Sequence, residues 1–144
     1  MNVKQISVFM DNKPGSLYEI AKVFADNNIS IRALTVTETS DFSVVRVIVD
    51  NVLWASSVLK DGGFFTKIQE VIAAEVPNTP GGLNKVLGVI RDADVNIEYT
   101  YTILTGRYVI NTCMILKLSD KLKAIAALKE AGVKILEQEE FSAL

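Results

Sequence analysis

The sequence has 144 residues, 49% apolar and 22% charged, with Lys+Arg 15 against Asp+Glu 17 and a net charge of −2. That length holds one domain or two small ones, and the composition is that of a globular chain. With no histidine and only Cys113, a Ser-His-Asp triad, a Cys-His dyad, an internal disulfide and a multi-Cys metal centre are all excluded, and the balanced charge offers no footprint for nucleic acid or anionic lipid.

In chain order, Val3–Met10 mixes apolar and polar β-formers and reads as a strand. Leu17, Ile20, Ala21 and Phe24 form one stripe of an amphipathic helix, with Pro14 in its first turn and Asn27-Asn28 at its end. Residues 29–37 and 42–49 read as strands joined at Thr39-Ser40-Asp41. Asp50 or Asn51 is placed to cap a second helix running through Lys60, with Gly62-Gly63 stopping it and residues 65–71 forming a fourth strand. The order then recurs. Residues 83–93 carry Val86, Leu87 and Ile90 on one side of a helix, and 95–104 and 108–118 form a hairpin about Thr105-Gly106-Arg107. Ser119 is expected to cap a helix over 121–131, with Leu122, Ile125, Ala126 and Lys129 on one face, and 133–139 to be the last strand. Glu137-Gln138-Glu139-Glu140 would then end an edge strand in solvent.

The recurrence is a duplication. A shift of 66 lays Asn12-Lys13-Pro14-Gly15-Ser16-Leu17 over Asn78-Thr79-Pro80-Gly81-Gly82-Leu83, and later segments match at a shift of 69. Only 9 of the 47 positions paired from residue 6 to 52 are identical, so what persists is mainly hydrophobic pattern. Still at the shift of 66, Val44, Val47 and Val49 align with Ile110, Cys113 and Ile115. The expected fold is α+β: two ferredoxin-like βαββαβ sandwiches in tandem, residues 1–70 and 71–144, each an antiparallel four-stranded sheet with helices on one face. Between the repeats, Lys67 to Val76 contains neither Gly nor Pro, so one repeat should pass almost directly into the next.

The shared Asn-x-Pro-Gly-x-Leu turn has a chemical logic. A helix N-terminus after a glycine turn presents backbone N–H groups to a carboxylate, Gly15 and Gly81 let a ligand approach the backbone, and the Asn12 and Asn78 amides can donate or accept. Leu17 and Leu83 would face the core. A carboxylate at Asp11 can pair an ammonium, whereas Pro77 at the matching place cannot, so the two loops are expected to be inequivalent.

A βαββαβ unit with Asn-x-Pro-Gly-x-Leu at its first strand–helix turn resembles the ACT domain, and it does so twice over nearly the whole chain. The resemblance implies a regulatory domain that binds an amino acid between domains and acts on enzymes of amino-acid metabolism. In the similar domain of phosphoglycerate dehydrogenase, the loop asparagine works with a second asparagine near the start of strand two. The matching positions here are Ser30 and Asn96. The family member's histidine two places before the loop asparagine is replaced here by Met10 and Val76, which removes one polar contact. The implied ligand-binding residues are Asp11, Asn12, Pro14, Gly15, Leu17 and Ser30 in the first repeat, and Asn78, Pro80, Gly81, Leu83 and Asn96 in the second.

The resemblance implies a non-enzymatic regulator that forms a homodimer, needs no cofactor or metal, and signals to an enzyme in trans. Alternatives are a dissociable small subunit, as in acetohydroxyacid synthase, or a dimerisation module with non-functional pockets. Tyr99, Tyr101 and Tyr108 would share a sheet face, yet the charge balance opposes nucleic acid. Trp54 is expected to pack and Cys113 to be a buried, inert thiol. No apolar run approaches the ~20 residues of a membrane span, and residues 1–5 do not begin a signal segment, so the reading is a cytoplasmic protein.

Overall fold

A computed structural model describes residues 3–39, 41–103 and 111–143. The chain divides into two compact units, one of Lys4–Gln69 and one of Met1–Val3 with Glu70–Leu144.

The first unit contains β1 (Val3–Met10) from Lys4 onward, α1 (Ser16–Asp26), β2 (Ile31–Glu38), β3 (Ser43–Val49), α2 (Val52–Asp61) and the start of β4 (Phe65–Pro77). Its strand order is β2-β3-β1-β4, with β3 antiparallel to both β2 and β1, and Ile6 opposite Val47. Alternate residues of β1 and β3 (Ile6, Val8, Val45, Val47 and Val49) pack with Ile20 and Phe24 of α1 and Ala55 and Leu59 of α2. Period-two strands and a helical spacing of four thus converge on one core. Asn51 Oδ1 accepts from Trp54 N–H at 3.1 Å and starts α2, which decides between the two expected caps. Pro14 lies in the turn before α1 rather than in its first turn, because Gly15 is the N-cap.

The second unit contains the rest of β4, α3 (Gly82–Asp92), β5 (Ile97–Thr102), β6 (Asn111–Leu118), α4 (Lys121–Glu130), β7 (Ile135–Leu136) and α5 (Gln138–Ser142). Its order is β7-β4-β6-β5, all antiparallel. Ile72, Ala74 and Val76 face Val86 and Ile90 of α3 and Ala124 and Leu128 of α4, beside Met114, Leu116 and Leu118. Both units are therefore ferredoxin-like α+β sandwiches, as the element order implies. Where a linker might have stood, an unbroken 13-residue strand, β4, runs from one repeat into the next.

Backbone angles repeat along with the elements. Every positive-φ residue described falls into a pair: Gly15 (88°) with Gly81 (84°), Asn28 (56°) with Asp94 (57°), and Gly63 (88°) with Gly132 (79°). Pairing registers refine the alignment. Ile6 opposes Val47 as Ile72 opposes Leu116, and Ile31 opposes Val49 as Ile97 opposes Leu118. Val47 thus corresponds to Leu116 and not to Cys113, so the shift has already become 69 at β6. The three additional residues lie between Thr102 and Asn111. The hairpin about Thr105-Gly106-Arg107, with Leu104, Tyr108 and Ile110, falls outside the described residues, as does Ser40.

Several local expectations are corrected. Asp120, not Ser119, caps α4 by accepting from Lys123 N–H at 3.1 Å. Ser119 instead ties α4's approach to β5, its Oγ accepting from Asn96 N–H and its N–H donating to the Asn96 carbonyl, both at 2.9 Å. The buried face of α4 is Ala124 and Leu128, while Leu122 is 76% exposed. The last strand shrinks to Ile135–Leu136, and the acidic run opens α5, where Glu137 and Glu140 form a capping box and Phe141 is buried.

Candidate ligand site

The loop between β1 and α1 borders a hollow of about 770 Å³ that lies wholly within the first unit. Gly15, in the left-handed region, turns the chain into α1, and no side chain caps that helix. Its first-turn N–H groups therefore have no side-chain acceptor, and the positive end of the helix dipole favours an anion there. Glycine is needed for its dihedral, since a Cβ at Gly15 would meet nothing within 4 Å. Asp11, Lys13, Pro14, Gly15 and Ser16 line the hollow on the loop side. Asp11 and Lys13 approach to 3.9 Å, both exposed, a pairing of small worth.

Phe9, Phe42 and Phe65 line the other side. Phe9 sits between the other two, with ring centroids 5.8 Å from Phe42 and 5.4 Å from Phe65, tilted by 54° and 56°. Sequence reading missed these rings because they come from three separate segments. The register that sets Phe9 opposite Val44 carries Phe42 alongside. Gly62, Gly63 and Phe64 complete the rim where α2 gives way to β4.

Of the residues expected in the first site, the structure brings Asp11, Pro14 and Gly15 together around the hollow. Asn12, Leu17 and Ser30 are not among its lining residues, and all three are exposed. Leu17 is 36% exposed and Leu83 41%, so neither anchors the core as expected; Ile20 and Val86 do that. A residue at the first turn looks past the edge of the sheet, and only the next turn reaches over it.

The second loop is built differently. Gly81 repeats the left-handed N-cap without a side-chain cap, but Gly82 is buried, and a Cβ on it would stand 2.2 Å from the Pro77 carbonyl oxygen. The first loop has Ser16 at the matching place. Asn78, Pro80 and Gly81 are exposed. Asn96 lines a different hollow, of about 490 Å³, with Leu87, Arg91, Asp94 and Ser119, and Asn78 is not part of it.

Other singled-out residues fall into place. Cys113 is buried on β6; burial, with the nearby Glu75 carboxylate second, pushes its thiol up to about 12. That fits the expected inert thiol. Tyr99 and Tyr101 stack at 6.5 Å on one face of β5. Trp54 is 48% exposed, on the outer side of α2 rather than packed inside. No group of three metal-ligating side chains occurs among the described residues, and no helix among them is long and apolar enough to cross a membrane.

Two ferredoxin-like units in one chain, each opening its first helix on an Asn-x-Pro-Gly turn, define a tandem-domain architecture. The family model of the ACT domain pair matches residues 1–143, and the chain belongs to that family. It is similar to protein BT0572 from Bacteroides thetaiotaomicron, with 36% identity over 100% of this chain and 98% of that one and a TM-score of 0.91. The fold is also that of the regulatory subunit of aspartate kinase from Thermus thermophilus, with 15% identity, 92% of each chain covered and a TM-score of 0.68. Aspartate kinase from Clostridium acetobutylicum matches at 18% identity and a TM-score of 0.53, over 90% of this chain and 33% of the enzyme's. No curated protein matches the sequence.

Proposed function

We propose that the chain is a non-catalytic regulatory protein that binds an amino acid at the β1–α1 loop of its first unit and signals its occupancy to an enzyme of amino-acid metabolism in trans. The observation that carries this is the hollow beside the uncapped start of α1. N–H groups there suit a carboxylate, and Asp11 on the same rim suits an ammonium. Membership of the ACT domain pair family supports it, as does the shared fold with a regulatory subunit of aspartate kinase. In this reading Asn12, within the loop, and Ser30 add further polar contacts to the ligand, and the protein works as a cytoplasmic homodimer.

The second loop, with Asn78, Pro80, Gly81, Leu83 and Asn96, is in this reading a weak or silent copy. Pro77 supplies no carboxylate, and the Pro77 carbonyl leaves no room for a Cβ at Gly82, whereas Ser16 at the matching place lines a hollow.

A thermal-shift series with the twenty amino acids tests the function. A true ligand at about 100 times its Kd adds about 2.7 kcal/mol of stability, and Asp11→Ala should abolish the shift. Absence of a shift with every amino acid would sink the reading. Calorimetry should then give one ligand per chain; two equal sites per chain would overturn the assignment of the second loop as silent.

A further inference from the structure

We infer that the ligand of the first unit carries an aromatic side chain, a conclusion that rests on reading the β1–α1 loop as an amino-acid site. The hollow has two ends of different chemistry. One is the polar loop at Asp11 and Gly15. The other is a wall of three phenylalanine rings, Phe9, Phe42 and Phe65, continued by Met10.

The wall is unlike the rest of the unit's apolar surface. Phe65 is 70% exposed and Phe42 39% exposed, yet both rings are held against Phe9 at 5.4 and 5.8 Å. Contacts at that distance and tilt are the arrangement in which the positive edge of one ring meets the face of the next. The cluster therefore presents both ring faces and ring edges to the hollow. At about 770 Å³ the hollow is in the range of small-ligand sites, which combine an apolar lining with a few placed polar groups. An aromatic amino acid matches both ends at once: carboxylate and ammonium at the loop, and a flat ring on the wall. A short side chain leaves the wall in water, and an acidic one finds no partner among three rings in a lining whose charged residues are Asp11, Lys13 and Glu19.

Calorimetry on the full chain with phenylalanine, tyrosine and tryptophan, against glycine, aspartate and lysine, tests this. At least one aromatic amino acid should bind tenfold or more tightly than any of the other three. Phe65→Ala removes a ring that is 70% exposed, and should weaken the aromatic ligand about tenfold, or 1.4 kcal/mol, while a cooperative thermal transition without ligand shows that the variant still folds. If aspartate, lysine or glycine binds as tightly as the aromatic set, or if Phe65→Ala leaves the affinity unchanged, the side-chain inference falls and the amino-acid site survives. If none of the twenty amino acids binds, both fall together. Sedimentation velocity supplies a third arm: loss of self-association in Phe65→Ala, without any ligand heat in the parent, would assign the rings to a second copy of the chain and overturn the inference.

Discussion

An alanine at position 82 would put its methyl carbon 2.2 Å from a backbone carbonyl, an approach that no rotamer relieves. Gly82→Ala should cost about 1–3 kcal/mol as the loop shifts, read as a lower urea midpoint at unchanged slope. Ser16→Ala, at the matching place in the first unit, should change stability by less than about 0.5 kcal/mol. The sequence shows Gly82 against Ser16 as a mere substitution between repeats. Only the path of Pro77 reveals why one is obligatory. Cys113 offers a second test at this scale. Its folded pKa lies above the ordinary value of 9.0, near 12. Below about pH 9 both folded and unfolded thiols hold their proton and stability is indifferent to pH. Between 9 and 12 the unfolded chain releases a proton that the folded chain keeps, so stability falls as pH rises. Denaturation of the parent and of Cys113→Ala at pH 8 to 10.5 should show a steeper fall in the parent, by no more than about 1.4 kcal/mol per pH unit.

Among the elements, α5 departs most from what residue patterning suggests. Val133, Ile135 and the acids that follow alternate like an edge strand, and the helix signal, Glu137 three before Glu140, is not a usual capping pair. Its sense depends on Phe141, which α5 turns into the interior. The Glu137 N–H, donating to Glu140 at 2.9 Å, holds that carboxyl below the usual glutamate range, with Lys134 adding to the effect. This contribution is present above the ordinary glutamate pKa and is lost as pH falls through the lowered one. Amide protection factors over residues 138–142, after correction for the intrinsic pH dependence of exchange, should therefore fall on acidification, and Glu140→Gln should remove that pH dependence. Phe141→Ala should cost about 3–5 kcal/mol. Helix α4 carries a related lesson. Of its apolar residues, Leu122 is left in solvent and Ile125 is only partly buried, while Ala124 and Leu128 are fully buried. Close packing on a sheet selects by fit, which residue hydrophobicity does not report.

Across the whole molecule, the duplication was legible because a fold keeps its pattern after most identities have gone. Strand order, both cores and the turn glycines all follow from it. The site was only half legible: Asp11, Pro14 and Gly15 belong to one contiguous motif, whereas Phe9, Phe42 and Phe65 meet only through strand register. Strand β2 ends the first unit's order, and among the described residues its outer side pairs with no other strand, the kind of edge that pairs with another copy. Sedimentation equilibrium should accordingly return the mass of two chains. A monomer at all concentrations would remove the homodimer from the proposal.

The unbroken strand β4 has a consequence for descent. Two copies made separately can vary in ratio, and each must then keep every contact that its neighbour relies on. Copies joined in mid-strand are always synthesised one to one, so a loss in either is sheltered by the other in every molecule. Under that arrangement the turn at Pro77–Gly82 could lose the room for a side chain at position 82 while the matching turn kept Ser16 on the rim of a hollow. A single gene thereby gained the asymmetry of a heterodimer without ever encoding two partners.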